Sequence, residues 1–178
     1  MEKSEVRLDA PTPLRHANCC RSVLSQYLYE NLNPGTFALS AGVEIGDTIN
    51  NNALLMLQQW GIDASNHEPC QISRSLCDRA DAIFAMSPEY LRLVFKIFGD
   101  KLARKSYLFA DPFKVPRTFS NGEYLVRDPS FDHLPITDLM KEFSWFRNRV
   151  VDIHEALTGG EKKLVPATEY LEVLHPVI

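Results

Sequence analysis

Two arginines, two cysteines and a histidine are clustered directly before the first predicted helix of this 178-residue chain. The eight consecutive residues are Arg15, His16, Ala17, Asn18, Cys19, Cys20, Arg21 and Ser22. A helix N-terminus attracts anions, and a guanidinium beside it can bind phosphate through two parallel hydrogen bonds. Asn18 suits left-handed backbone torsions, and Ser22 can cap the helix or donate to a bound oxygen. The segment predicts a phosphate-binding loop; an ordinary helix start with a surface arginine is the alternative.

Helices and strands alternate after this segment. Apolar residues at helical spacing predict helices over residues 22–32, 49–60, 73–77, 88–98 and 136–157. Short apolar runs predict strands over residues 37–43, 81–86 and 106–110. Strands separated by helices pair in parallel through right-handed crossovers, and ligands bind at their carboxyl ends. The pattern predicts a three-layer α/β sandwich whose site lies in loops that follow strands or open helices.

Composition excludes several classes of protein. Nineteen Lys and Arg residues against 23 Asp and Glu leave a net charge of −4, which argues against general nucleic-acid binding. No apolar run approaches the ~20 residues that span a bilayer, and the N-terminus lacks the apolar core of a secretion signal. Four cysteines are too few for a disulfide scaffold. We expect a cytoplasmic protein with no membrane partner. The domain is expected over residues 15–158, after a degenerate N-terminal segment, 1–14, and before a C-terminal tail, 159–178.

The loop segment resembles the phosphate loop of the low-molecular-weight protein tyrosine phosphatases, Cys-x-Gly-Asn-x-Cys-Arg-Ser. Three further segments resemble that family in the family's order: Leu39-Ser40-Ala41-Gly42, Trp60-Gly61-Ile62-Asp63 followed by His67, and Asp81-Ala82-Ile83-Phe84-Ala85-Met86. The resemblance covers about residues 15–157 and implies a four-stranded parallel sheet with helices on both faces. Its first strand is degenerate here, because Pro11 and Pro13 cannot donate to a central ladder. The resemblance also implies that Ser40 and His67 support the loop.

The resemblance implies a general acid in an Asp-Pro pair late in the chain. Asp111 and Asp128 are both followed by proline. We favour Asp128, because it lies shortly before the final helix, as the family's acid does. Asp111 directly follows a predicted strand and is typical of a turn. A structural Asp-Pro turn stays open for either residue.

The family's attacking cysteine is replaced, because Arg15 stands six residues before Arg21. The reaction needs that sulfur to form a thiophosphate, which water hydrolyses while the acid protonates the leaving phenolate and then activates water. A guanidinium stays protonated and presents only donors, so Arg15 cannot attack. Ala17 also replaces the loop glycine. Cys20 or Cys19 are alternative nucleophiles, although burial as small apolar side chains is the simpler expectation for both.

Two other uses of the cysteines are weaker hypotheses. Cys70 and Cys77 have the spacing of the resolving pair of thiol-dependent arsenate reductases, but they lie at a different place in the chain. A zinc site from His16, Cys19, Cys20 and His67 matches no familiar ligand spacing, so we expect no metal and no cofactor.

The sequence thus predicts a phosphatase-like protein that binds phosphate or a phosphotyrosine-containing protein with impaired or absent hydrolysis. Arg15 would strengthen that binding if it points into the pocket, or block the pocket if it crosses the mouth. One alternative is an active phosphatase with Asp128 as acid and a non-standard nucleophile such as Cys20. The other is a non-catalytic interaction module. The oligomeric state is left open.

Overall fold

A computed structural model of the chain describes residues 18–117, 119, 126 and 135–174. The α-helices of this described part are α1 (Arg21–Leu32), α2 (Asn51–Gln58), α3 (Arg74–Arg79), α4 (Pro88–Phe98), α5 (Ile136–Leu157) and α6 (Leu171–Leu174). Its strands are β1 (Ile83–Ala85) and β2 (Ser106–Leu108). Two 3-10 helices, Asp100–Lys105 and Ala167–Tyr170, complete the list. The alternation of helix and strand predicted from the sequence is confirmed for all five helices and for two of the three strands.

The two strands pair in parallel around α4, as the spacing predicts. Ile83 lies opposite Ser106, and Ala85 lies opposite Leu108. Pairing continues past the end of β1, because the amide of Val126 donates to the carbonyl of Met86 at 3.1 Å. Residue 126 therefore lies at the carboxyl end of β1, the end at which parallel sheets bind ligands.

The predicted strand over residues 37–43 is wrong for the described structure. Gly42 forms an isolated parallel bridge with Gln71. The amides of Ala38 and Ser40 instead donate to side chains of α1, to Glu30 Oε1 at 3.1 Å and to Gln26 Oε1 at 2.8 Å. Helix side chains therefore take up the donors that a neighbouring strand would use. The degenerate first strand predicted before residue 15 lies outside the described residues.

Helices cover both faces of the sheet. Consecutive residues of a strand point to opposite faces. Ala85 and Leu108 belong to a core cluster with α4 and residues 167–174, whereas Met86 and Phe109 belong to a second cluster with α1, α2 and α5. The layers of the predicted α/β sandwich are thus present around the two described strands.

The last long helix, α5, has the predicted bounds. Phe143, Phe146, Val150 and Ile153 recur at steps of three and four and are buried against α1 and α2. The helix ends where Gly160 donates its amide to the carbonyl of Glu155 at 2.7 Å. Neither α5 nor another helix of the described residues combines the length and apolarity needed to cross a bilayer.

Candidate functional site

Asn18 forms the turn that leads into α1. Among the described residues other than glycine, Asn18 is the one with a positive φ, which is 45°. Its side chain is buried. Its Nδ2 donates to Ser22 Oγ at 3.1 Å, and its Oδ1 accepts the Cys70 amide at 2.8 Å. Asparagine tolerates this left-handed conformation, and the two bonds satisfy its buried amide group. The predicted roles of Asn18 as a turn residue and of Ser22 as a partner at the helix start thus have a geometric counterpart.

His67 contacts the same turn from the other side. Its Nε2 lies 3.4 Å from the carbonyl oxygen of Asn18, so the tautomer protonated at Nε2 donates to that carbonyl. The ring also meets Tyr27 of α1 edge to face, with 5.7 Å between centroids. Burial lowers the pKa of His67, and the hydrogen bond to Asn18 opposes that effect. The structure therefore brings His67 to the predicted loop as a neutral group at pH 7.

The two adjacent cysteines lie on the inner side of the turn. Cys20 is buried in the apolar cluster with Leu24, and its carbonyl accepts the Leu24 amide at 2.9 Å. Cys19 is half-buried against the same cluster, and its carbonyl accepts the Asn50 amide at 2.7 Å. None of the four cysteines of the chain, all of which lie among the described residues, forms a disulfide. Both residues therefore contribute packing and backbone contacts to the loop.

Arg21 is the first residue of α1 and carries the positive charge of the site. Its Nη1 donates to the carbonyl of Val126 at 3.0 Å, across 105 positions of sequence. Because Val126 is itself bonded to Met86 at the end of β1, the guanidinium is tied to the carboxyl edge of the sheet. This bond fixes the direction of a rigid fork of donors beside the positive end of a 12-residue helix.

Ser40 supports α1 and not the turn itself. The Ser40 hydroxyl donates to Gln26 Oε1 at 2.7 Å, and its amide donates to the same oxygen at 2.8 Å. Gln26 is one helical turn after Ser22, so Ser40 acts on the helix that carries the site.

Asp111 behaves as the turn residue that its position indicates. Its Oδ1 accepts the Phe113 amide at 3.3 Å, and its Oδ2 pairs with Lys114 at 3.1 Å. These local contacts are those of an Asp-Pro turn. Asp128, the favoured acid, lies outside the described residues, as do Arg15, His16 and Ala17 of the predicted loop.

The remaining cysteines show no second chemical centre. Burial raises the pKa of the Cys77 thiol, which makes it a poor nucleophile. Cys70 contributes its amide to Asn18, and its Sγ donates to the carbonyl of Gln71 at 3.6 Å. In the part of the chain that the structure describes, no three His, Cys, Asp or Glu side chains are grouped to hold a metal ion.

Three partners of the site were not predicted from the sequence. The carbonyl of Val126 and the amide of Cys70 are backbone groups far from the loop in sequence, so no residue type marks them. Gln26 has a weak signal, because it follows Ser22 by four positions and so shares a helix face with it.

Comparison with known proteins identifies a family that matches most of the chain. A family model described as low molecular weight phosphotyrosine protein phosphatase matches residues 14–129. Over 71 residues the chain is 38% identical to "Probable low molecular weight protein-tyrosine-phosphatase EpsP" of Ralstonia solanacearum. That match covers 39% of this chain and 49% of the relative, so the chain spans about half the length of this curated protein.

Solved structures of phosphatases share the fold. The YwlE arginine phosphatase from Geobacillus stearothermophilus is similar with a TM-score of 0.65 and 23% identity, over 80% of this chain and 88% of that one. The tyrosine phosphatase Wzb from Escherichia coli K30, in complex with sulphate, gives 0.64 and 20%, over 79% and 92%. At these identities the likeness establishes the α/β fold.

Proposed function

This chain belongs to the low molecular weight phosphotyrosine protein phosphatase family, and we propose that it binds phosphate or a phosphorylated side chain at the start of α1. The observation that carries the proposal is the bond from Arg21 to the carbonyl of Val126. It holds a guanidinium at the N-terminus of α1 beside the turn at Asn18, an arrangement that favours a dianion. Asn18 to Ser22 would line the pocket, together with Arg15, His16 and Ala17.

We infer that hydrolysis is impaired or absent. Arg15 stands where the family's attacking cysteine is expected, and its protonated guanidinium presents only donors and so cannot act as the nucleophile. Cys20, one of the two alternative nucleophiles in the loop, is 4% exposed within the apolar cluster. In another hydrolase, removal of the nucleophile lowers turnover by on the order of a millionfold. Burial of Cys20 thus supports a phosphate-binding protein over an enzyme with a substitute thiol.

If the protein hydrolyses phosphate esters, we propose Asp128 as the general acid. Val126 lies two residues earlier and contacts Arg21 at 3.0 Å. Asp128 is thus close in sequence to the residue that holds the guanidinium, and its carboxyl group would protonate the leaving oxygen.

The substrate class follows from the proposed pocket and the family. The curated relative is named a protein-tyrosine-phosphatase, whereas one structural neighbour is an arginine phosphatase. We favour a phosphotyrosine-containing protein, because the sequence match is to the former. We also propose a sheet of four parallel strands, as the family implies. We further propose a cytoplasmic location, because none of the four cysteines forms a disulfide.

Phosphate-induced thermal stabilisation, measured beside hydrolysis of an aryl phosphate, tests this function. Phosphate at 100 times its Kd should add about 2.7 kcal/mol, or about 5–11 °C in Tm for a chain of this size. Arg21→Ala should abolish the shift. Arg79→Ala is the matched control, because Arg79 is an exposed arginine at the end of α3.

The outcomes separate the three hypotheses. Stabilisation without turnover in the wild type, lost in Arg21→Ala, supports phosphate binding. Turnover that disappears in Cys20→Ser or Cys19→Ser would establish an active enzyme with a substitute thiol and contradict the proposal. If phosphate causes no stabilisation and the aryl phosphate is not hydrolysed, the remaining hypothesis is a non-catalytic interaction module. Arg15→Cys adds a gain-of-function arm, since restoring the sulfur to an intact pocket should create turnover.

A further inference from the structure

The turn at Asn18 is held from outside by residues 67–72, called here the support segment. At the start of this segment, His67 Nε2 lies 3.4 Å from the carbonyl oxygen of Asn18. Farther along, the amide of Cys70 donates to Asn18 Oδ1 at 2.8 Å. Both contacts exist only while the support segment lies against the turn. The conformation of Asn18 therefore depends on the contacts that fix this segment.

One parallel bridge fixes the support segment against Gly42. The amide of Gly42 donates to the carbonyl of Cys70 at 2.9 Å, and the carbonyl of Gly42 accepts the Ile72 amide at 2.8 Å. In the described structure this bridge is isolated, because the residues on either side of it do not continue it as strands. Gly42 also has no side chain that could pack across the bridge. Even a complete two-stranded pair is marginally stable in water, so a bridge with two bonds needs further contacts to stay closed.

The side chain of Gln71 supplies such a contact. Its Nε2 donates to the carbonyl of Val43 at 3.0 Å, which adds a third hydrogen bond beside the two of the bridge. Gln71 is exposed, so its side chain contributes this bond and little buried apolar area. The bond joins Val43, the residue after Gly42, to the middle of the support segment. Gln71 is therefore placed to hold the bridge closed.

The stretch of chain that accepts the Gln71 bond also supports the next residue of the turn. From Val43 it continues to Asn50, whose amide donates to the carbonyl of Cys19 at 2.7 Å. Asn50 is itself fixed as the N-cap of α2, where its Oδ1 accepts the Asn52 amide at 2.9 Å. Two stretches of chain thus hold neighbouring residues of the turn, and the Gln71 bond connects one stretch to the other.

We propose that Gln71 is a positioning residue, whose bond to Val43 keeps the support segment in place so that the Cys70 amide holds Asn18 in its left-handed conformation. In this role Gln71 acts through Cys70 and does not itself bind phosphate. The consequence for ligand binding rests on the proposed function, because it assumes that the turn at Asn18 binds phosphate. The effect of Gln71 on the bridge does not rest on it.

The loss of one bond sets the size of the effect. A typical intramolecular hydrogen bond shifts an equilibrium about two- to tenfold. Three bonds close the contact between the support segment and residues 42 and 43 in the wild type, and two remain in Gln71→Ala. The open fraction should therefore rise about two- to tenfold. One opening releases the amides of Gly42, Cys70 and Ile72, so their exchange rates should rise by a common factor.

Amide hydrogen exchange, resolved by residue in NMR spectra of the full ¹⁵N-labelled chain, tests the proposal. In Gln71→Ala, the amides of Gly42, Cys70 and Ile72 should exchange about two- to tenfold faster than in the wild type. The amide of Thr158 is the internal reference, because its bond to the carbonyl of His154 lies at the end of α5. Its exchange rate should not change, since opening there does not involve the bridge.

Two variants separate the hydrogen bond from other effects of the substitution. Gln71→Glu keeps the length of the side chain but replaces the donor with a carboxylate oxygen, so it should accelerate exchange at Cys70 at least as much as Gln71→Ala. Gln59→Ala is the matched control, because Gln59 is an exposed glutamine whose side chain makes no hydrogen bond to any described residue. It should leave the exchange rate at Cys70 unchanged.

Inorganic phosphate supplies the readout that connects Gln71 with the site. If phosphate binds only while Cys70 holds Asn18, phosphate at 100 times its Kd should slow exchange at Cys70 and Gly42 about 100-fold. Thr158 should exchange at the same rate with and without phosphate. Exchange reports this link better than the Kd does, because the Kd hardly changes as long as the closed form predominates.

The results decide the two proposals separately. Equal exchange at Cys70 in Gln71→Ala and Gln59→Ala would overturn the role of Gln71, as would exchange in Gln71→Glu at the wild-type rate. Bound phosphate that leaves exchange at Cys70 unchanged would overturn the link between the bridge and the site. If Gln71→Ala does not fold, Gln71→Glu decides. If the wild type binds no phosphate, the proposed function fails, while exchange in the absence of phosphate still decides whether Gln71 holds the bridge.

Discussion

Replacement of Asn18 should separate the two physical reasons for its presence. Alanine at φ 45° has a strained left-handed backbone, which costs ~1–2 kcal/mol. It also leaves the half-buried Cys70 amide without its acceptor, at ~1–3 kcal/mol. The sum predicts that Asn18→Ala lowers the free energy of unfolding by about 2–5 kcal/mol. In a chain of this size that is a fall in Tm of about 4–20 °C.

Asn18→Asp is the informative companion. Aspartate tolerates the same torsions, keeps an oxygen for the Cys70 amide, and accepts from Ser22 in place of the lost donor. Its charge lies at the N-terminus of α1, where the helix dipole favours it. We expect a loss below about 1 kcal/mol. Urea unfolding with unchanged m-values measures both variants. The reasoning is refuted if Asp costs as much as Ala, or if Ala costs less than about 1 kcal/mol.

Three further predictions concern the support of the site and the end of α5. Burial lowers the pKa of His67 below its unfolded value near 6.5, so the neutral form stabilises the fold above that pH. The free energy of unfolding should fall as the pH drops from there toward the folded pKa. In His67→Gln, the urea midpoint should depend less on pH over this range. Gln26→Leu removes the acceptor of two Ser40 donors and should cost about 1–3 kcal/mol in urea unfolding, with Gln58→Leu on α2 as a control that should cost less. Gly160→Ala places a Cβ 2.7 Å from a backbone oxygen and should lower stability by about 1–3 kcal/mol in thermal unfolding; an unchanged Tm would contradict that geometry.

Local patterns predicted the helices well, because each carries its own signal. The apolar spacing of α5 and its terminating glycines lie within one stretch of sequence, and the bounds agree with the structure. The strand expected over residues 37–43 fails for the opposite reason. An apolar run predicts a buried strand, but Phe37 is 84% exposed. Whether such a run forms a strand depends on a neighbouring strand, and the run itself carries no information about that neighbour. Strand formation is decided by partners elsewhere in the chain.

The candidate site also combines residues that the local sequence predicts with contacts that it does not. Asn18, Arg21 and Ser22 could be proposed from the sequence because residue type determines which torsions and donors are possible. The bond from Arg21 to Val126 could not, because it uses a backbone carbonyl 105 positions away. The sequence predicted a C-terminal tail over residues 159–178 without indicating its packing, and within it Tyr170 and Leu174 are core residues. Their burial arises from tertiary contact with α4, which periodicity within a few residues does not report.

Binding and turnover are physically separable in this loop. The contacts that hold the turn belong to Asn18, Ser22, His67 and the Cys70 amide, and none of them uses the side chain at position 15. The guanidinium of Arg21 is likewise held by the carbonyl of Val126 at the sheet edge. Under the proposed function, the groups that would bind phosphate are therefore positioned independently of the group that would attack it. We predict from this that Arg15→Cys creates hydrolysis of an aryl phosphate without weakening the binding of inorganic phosphate.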